Sequence, residues 1–524
     1  MNRILGVMID CSRNAVMNVE TVKKFVDLIK KIGYNTLMLY TEDTYEVDGQ
    51  PFFGHLRGRY SKEEIREIDL YCNDKGIELI PCIQTLAHLD NLLKWRTEYF
   101  DITDCDDILL IDDEKTYKLI DDMLKTISQC FSSKKIHIGM DEAYRVGTGK
   151  YQSLHGIKDR FDIINGHLHK VCNLVEKYNM EPMIWNDMFC KLALNIDNQF
   201  QHVDASKIIE KAKLPENVTL VYWDYYSTDY NHYDTMLKTN KMFGKKVIFA
   251  GGGWTWRGFA PDNDYSLKIT DAALSACADN DIKDIFITLW GDDGAECSKF
   301  AILPSLVFSA ELANGNRNID KIKQKFKDVV GCEFDDFMLF DKLDIATEKH
   351  DRGASKYIFY NDLFMGIRDF KCSESDRKYY KNLADKFSLV KEKGEYAYLF
   401  DMYEKFARVL EIKCSLGIRT RKAYLDKNIY ELKNISNDYI ELLARVEDFY
   451  KSHKTTWFRE NKPHGFDVSD IRIGGLIQRI KSCNDRIIEF TSGKIDCIPE
   501  LEEPVLSEKN GYDIWSKIVT PNTL

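Results

Sequence analysis

Short apolar runs rich in β-branched residues alternate with amphipathic stretches from the first residues to about position 315. The runs fall at 4–9, 36–40, 78–83, 135–139, 182–186, 218–223, 247–251 and 285–290, lengths and compositions that predict buried strands. Between them, apolar positions recur at helical spacing over 20–32, 62–75, 116–130, 163–178, 233–242, 267–280 and 299–312, and Gly33 and Gly76 stand where left-handed C-caps belong. Eight such units predict an α/β fold of the (β/α)8 TIM-barrel type. No GxGxxG turn follows the first run, which counts against an open doubly wound sheet. Past this region the strand-like runs largely disappear and the pattern is helical over 319–330, 376–393, 395–415, 430–451 and 470–490, with Ile440, Leu443, Val446 and Tyr450 on one predicted apolar stripe. The expected organisation is a barrel over 1–315 followed by an all-α C-terminal domain over 316–524, with no repeat or Pro/Ser-rich linker.

Composition narrows the partners. The 524 residues carry a formal charge of −11 and a pI near 5.6, the wrong sign for a nucleic-acid or anionic-membrane partner. The 14 cysteines are scattered without a CxxC pair, which argues for a reducing compartment and against paired-cysteine zinc. The N-terminal apolar run is too short for a signal-peptide core, and no stretch approaches the length of a membrane span. A soluble, cytoplasmic protein is expected.

In a barrel, chemistry sits at the C-terminal ends of the strands. The first ends in Asp10-Cys-Ser-Arg13, the third in Gln84-Thr-Leu-Ala-His88, the fourth in His137-Ile-Gly-Met-Asp141-Glu142 and the fifth in Trp185-Asn-Asp187. The sixth ends in Trp223-Asp-Tyr225-Tyr226, the seventh in Gly251-Gly-Gly-Trp254-Thr-Trp256 and the eighth in Trp290-Gly-Asp292-Asp293. Tryptophans gathered at a barrel mouth make flat walls with polar edges, a surface suited to sugar rings. Adjacent carboxylates such as Asp141 and Glu142 suit acid catalysis, because the charge of one disfavours ionisation of the other. A covalent sugar ester requires a second, facing carboxylate, yet the seventh strand ends in glycines. This favours a substrate whose own 2-acetamido oxygen attacks the anomeric carbon, with Asp141 holding the acetamido N–H and Glu142 protonating the leaving oxygen. Asp224, Asp292 and Asp293 stay open as protein nucleophiles.

His137-Ile-Gly-Met-Asp141-Glu142 resembles the His-x-Gly-x-Asp-Glu signature of glycoside hydrolase family 20, the exo-β-N-acetylhexosaminidases. Asp10-Cys-Ser-Arg13 is similar to that family's Asp-x-x-Arg segment, Leu86-Ala-His88 to its Pro-Gly-His segment and Trp290 to its eighth-strand tryptophan. Glu42-Asp43-Thr44-Tyr45, Phe53-Gly-His-Leu-Arg-Gly-Arg59, Asn461-Lys-Pro463 and Arg472-Ile-Gly-Gly475 resemble the compact bacterial subgroup with a helical C-terminal domain. Met140 and Ala87 depart from the commoner glycines, and the family's N-terminal accessory domain has no counterpart. The resemblance implies Glu142 as general acid/base, Asp141 as the residue stabilising an oxazolinium intermediate, and a tyrosine on the acetamido oxygen. Tyr225 is preferred for it over Tyr226. It further implies that Arg13 binds sugar hydroxyls, that Trp185, Trp223, Trp254 and Trp290 form the acetamido pocket, and that Asp292 binds the 4- or 6-hydroxyl. His88 and His137 complete the substrate-binding set, although a structural histidine fits each place equally well.

The expected activity is retaining hydrolysis of terminal β-linked GlcNAc or GalNAc from short glycans, with no metal or cofactor. Two alternatives stand beside it: a metal-dependent barrel isomerase or hydrolase using His137, Asp141, Glu142 and Asp187 as ligands, and an inactive carbohydrate-binding barrel. The aromatic pair Trp457 and Phe458 leaves a homodimer contact open, with burial inside one chain the simpler expectation.

Overall fold

A computed structural model describes residues 3–194, 213–345, 352–390 and 394–507. Eight parallel strands close into a barrel: Leu5–Asp10, Thr36–Tyr40, Glu78–Cys82, Lys135–His137, Glu181–Trp185, Thr219–Trp223, Val247–Gly252 and Ile285–Leu289. Each pairs with its neighbours in chain order, and the first closes on the eighth through Leu5 opposite Ile285. The strands are buried almost throughout, as a barrel with a filled interior and an outer ring of helices requires.

Local signals account for the helices that separate the strands. Asn18 caps Val19–Ile32 by accepting the Thr21 N–H, and Gly33 ends it at φ 117°. Ser61 and Glu64 form a reciprocal capping box at the start of Lys62–Asp74.

The fourth strand is shorter than its apolar run suggested. It stops at His137 because Gly139 and Met140 both turn to φ 74°, and only Cys82 and His137 remain in register with the third strand. A two-stranded hairpin, Thr103–Cys105 with Ile108–Leu109, and the helix Asp187–Leu194 fill the loops after the third and fifth strands. Neither has a clear periodic signal in the sequence.

The chain forms two compact units that do not divide at a single position. The first comprises Met1–Trp254, Asp264–Gly291 and Ser305–Val330, and the second Thr255–Asn263, Asp292–Pro304 and Gly331–Leu524. The boundary therefore differs from the one expected at 315/316. Helix Ile319–Val330 packs with Val19–Ile32 in the barrel unit, and two segments from the seventh and eighth β-α loops belong to the helical unit.

The helical unit is built on Asp376–Val390, Ala397–Leu425, Ile429–Glu460 and Phe466–Thr491. The end of the helix expected over 376–393 lies outside the described residues from position 391. Its core buries Tyr439, Leu442, Val446 and Phe449, whereas Ile440 is exposed, so the apolar stripe is shifted from the one expected. Trp457 is buried and donates to the Lys462 carbonyl at 3.1 Å, while Phe458 is exposed. No helix among the described residues is long and apolar enough to cross a membrane.

Candidate active site

The site in the barrel unit begins with a strained turn. Between His137 and Glu142, Gly139 (φ 74°), Met140 (φ 74°) and Glu142 (φ 50°) are all left-handed, a conformation that costs energy for the two non-glycine residues and persists only where neighbours hold it. Two side chains do so. Gln84, at the end of the third strand, accepts the Met140 N–H at 3.1 Å and donates to Asp141 Oδ1 at 2.6 Å. Asp187, after the fifth strand, accepts the Glu142 N–H at 3.0 Å through one oxygen and the Trp223 indole N–H at 3.4 Å through the other. Glycine is required at 139, since a Cβ there would stand 2.0 Å from Gln84 Oε1 and 2.8 Å from the Ile83 carbonyl.

The turn delivers two carboxyl groups to different surroundings. Asp141 is buried, with its second oxygen 3.2 Å from His88 Nε2, near enough for an ion pair but outside hydrogen-bond alignment. Burial alone would raise the Asp141 pKa, but the His88 charge and the Gln84 amide outweigh it and hold the group below the usual carboxylate value. Glu142 is 39% exposed; its Oε2 lies 3.5 Å from His88 Nε2 and its Oε1 accepts the Tyr144 hydroxyl at 2.9 Å. Burial likewise opposes charge on His88, yet the carboxylates of Asp141 and Glu42 carry it up to about 10, so the imidazole is an imidazolium at neutral pH. Burial, with help from the charge of Asp141, raises Asp187 to about 7.

A second group of polar residues joins the first through Tyr40. Its hydroxyl accepts from Gln84 at 2.8 Å and donates to Glu42 Oε1 at 3.1 Å. Glu42 also meets Arg13 Nη2 at 3.4 Å, and burial raises its pKa to about 7 against the opposing pull of Arg13. Asp10 accepts the Ser12 and Gly291 N–H groups at 2.8 Å each, tying the ends of the first and eighth strands together.

The aromatic wall is continuous. Trp223 stacks on Tyr225 at 5.3 Å, the Tyr225 hydroxyl accepts the Trp290 indole N–H at 2.9 Å, and the Trp254 indole N–H donates to the Tyr225 carbonyl at 3.0 Å. Trp185 lies beneath, 6.1 Å from Trp290 and 4.3 Å from the His137 ring. Tyr40 meets Trp290 edge-on at 4.8 Å, which links the wall to the polar groups.

The residues expected from the sequence thus fall into three sets. Arg13, His88, Asp141, Glu142, Trp185, Trp223, Tyr225, Trp254 and Trp290 lie in one connected network of the barrel unit. Tyr225 is buried in it, whereas Tyr226 is 48% exposed. His137, expected to contact substrate, is instead wholly buried behind the turn. Its Nδ1 accepts the Gly139 N–H at 3.1 Å and burial lowers its pKa to about 3, so it is a neutral support. Asp292 opens a short turn, Asp292–Gly294, that belongs to the helical unit. Asp224 accepts from Tyr222 at 2.9 Å and lies 2.6 Å from His232 Nε2, contacts that commit it outside the aromatic wall.

Sequence reasoning read Glu42 only as part of a subgroup motif and passed over Tyr40, although both stand at the end of the second strand, where the same rule points. It also assigned no role to Gln84 or Tyr144. The four residues of the metal-site alternative are not assembled as ligands, and no group of three or more His, Cys, Asp or Glu placed to hold a metal occurs among the described residues.

The family description "Glycosyl hydrolase family 20, catalytic domain" matches residues 5–251, and "Glycoside Hydrolase 20C C-terminal domain" matches residues 335–519. Hexosaminidase D of Bos taurus is 23% identical over 242 residues, 44% of this chain and 63% of that protein. Hexosaminidase D of Homo sapiens is 22% identical over 222 residues, 41% of this chain and 43% of that one. The chain thus matches less than two thirds of the length of either relative. Among solved structures, the exo β-N-acetylglucosaminidase of Vibrio harveyi, in complex with N-acetylglucosamine, aligns with a TM-score of 0.48 at 17% identity, over 65% of this chain and 58% of that one. With its catalytic and C-terminal regions both matched, the chain belongs to glycoside hydrolase family 20.

Proposed function

We propose that this protein is an exo-acting β-N-acetylhexosaminidase that releases terminal, non-reducing β-linked GlcNAc or GalNAc with retention of configuration by substrate-assisted catalysis. The observation that carries the proposal is the pair of environments at the strained turn: a buried, ionised Asp141 beside a half-exposed Glu142, with no acid at the end of the seventh strand.

In the proposed reaction the acetamido N–H donates to Asp141, which draws electron density toward the acetamido oxygen. That oxygen forms a bond to C1 as the C1–O bond to the leaving group breaks, and Glu142 gives its proton to the departing oxygen. The Tyr225 hydroxyl, which accepts the Trp290 indole N–H, donates to the acetamido oxygen. Glu142, now a carboxylate, takes a proton from the water that attacks C1, and the oxazoline ring reopens with net retention. Arg13 binds ring hydroxyls, and the tryptophans enclose the acetamido methyl. A cytoplasmic location belongs to the same proposal, supported by fourteen cysteines that are all thiols.

The test is hydrolysis of p-nitrophenyl β-N-acetylglucosaminide with and without EDTA. Metal-independent turnover is expected, with competitive inhibition by a thiazoline analogue of the oxazoline and a loss of about 100-fold or more in Glu142→Gln. Covalent labelling of an active-site carboxylate by a 2-fluoro sugar would overturn the substrate-assisted scheme.

A further inference from the structure

Glu142 has a neighbour on its solvent side that the reaction above does not use. Tyr144 donates its hydroxyl to Glu142 Oε1 at 2.9 Å, and its ring is 39% exposed. Lys191, on the helix Asp187–Leu194 after the fifth strand, holds its ammonium 3.9 Å from the centre of that ring. Both residues lie in the barrel unit.

The setting of Lys191 differs from that of many other lysines of the barrel unit. Lys62, Lys135, Lys170, Lys177 and Lys238 each meet a carboxylate within 2.8 Å. Lys191 faces an aromatic ring, and among the described residues no carboxylate stands within ion-pair distance of it. A cation–π contact of this kind orients an ammonium without neutralising it. In a chain with net charge −11, an ammonium held on an aromatic ring two contacts from the catalytic acid, with no carboxylate partner in an ion pair among the described residues, can meet an anionic ligand.

The chemistry says which ligand. The acid protonates the glycosidic oxygen, so the departing sugar must lie against the exposed side of Glu142, the side on which Tyr144 stands. We propose that Tyr144 and Lys191 form a leaving-group subsite selective for an anionic sugar, one bearing a carboxylate or sulfate and linked directly to the terminal β-N-acetylhexosamine. The Tyr144 ring supplies an apolar edge for the pyranose, and the Lys191 ammonium meets the anionic substituent. This rests on the hexosaminidase reading and adds a substrate class to it.

The experiment compares kcat/KM for GlcNAc-β-1,3-glucuronic acid with that for GlcNAc-β-1,3-glucose, which differ only in a carboxylate against a hydroxymethyl group. The 6-sulfated glucose analogue serves as a third substrate. The wild type is expected to favour one or both charged substrates by roughly three- to fivefold at low salt, the scale of an exposed charge pair, and the advantage should shrink in about 0.5 M salt. Lys191→Met should abolish the ratio and Lys191→Arg keep it, each read as a ratio so that a general loss of activity cancels. A wild-type ratio of one for both charged substrates, or a ratio unchanged in Lys191→Met, overturns the subsite while leaving the hexosaminidase reading intact. Failure to cleave either disaccharide or the p-nitrophenyl glycoside overturns both.

Discussion

His88 carries a charge that its neighbours impose. An unfolded histidine titrates near 6.5 and the folded one at about 10, so protonation of His88 stabilises the fold in full below pH 6.5. That contribution is lost as pH rises through about 10. The wild-type melting temperature should therefore fall between about pH 7 and 10, and His88→Gln should flatten that slope. Equal slopes in the two proteins would show that the imidazolium is not what the carboxylates hold. At this scale the sequence makes Asp141 and Glu142 visible as adjacent acids, but it does not distinguish them. One is buried against an amide and an imidazolium and the other faces a hydroxyl and solvent, and those partners come from residues 53 to 57 positions away or from the next turn of chain.

At the scale of elements, the feature that matters is the turn after the fourth strand. Gln84 and Asp187 pin three left-handed residues between the third and fifth strands, so the strand must end early for the acids to be presented. Gly139→Ala should therefore cost more than about 2 kcal/mol in a denaturant titration, since the added Cβ meets Gln84 and a backbone carbonyl while the residue stays at positive φ. A stability within experimental error of wild type would mean that the turn is not constrained as described. The strands themselves were legible, because a barrel strand is buried on both faces and reads as a continuous apolar run. The end of the fourth was not: Ile138 is apolar and buried, so it extends the run although Gly139 beyond it already turns to positive φ.

Across the whole molecule, the helical unit takes in two segments from the barrel's loops. Phe259, in the first of them, packs within that unit against Phe359, Phe406 and Phe449, with ring centres 4.9 to 5.5 Å apart. A chain cut after Val330 would strip this cover from Phe259. Truncation there is expected to give a protein that binds ANS and elutes as aggregate in size-exclusion chromatography, whereas a monodisperse, two-state fragment would show the barrel to be independent. The sequence by itself determined the eight strands, the change to helices near position 315, the aromatic strand ends and the acid pair, because each is a local pattern of burial or a short motif. Only the tertiary structure decided where the units divide, which acid is held ionised, that His137 is a neutral support, and that Glu42, Gln84, Tyr144 and Lys191 surround the acids. The physical reason is that charge state and position depend on which distant groups the barrel closure brings within a few ångströms, and on how much water it removes from between them.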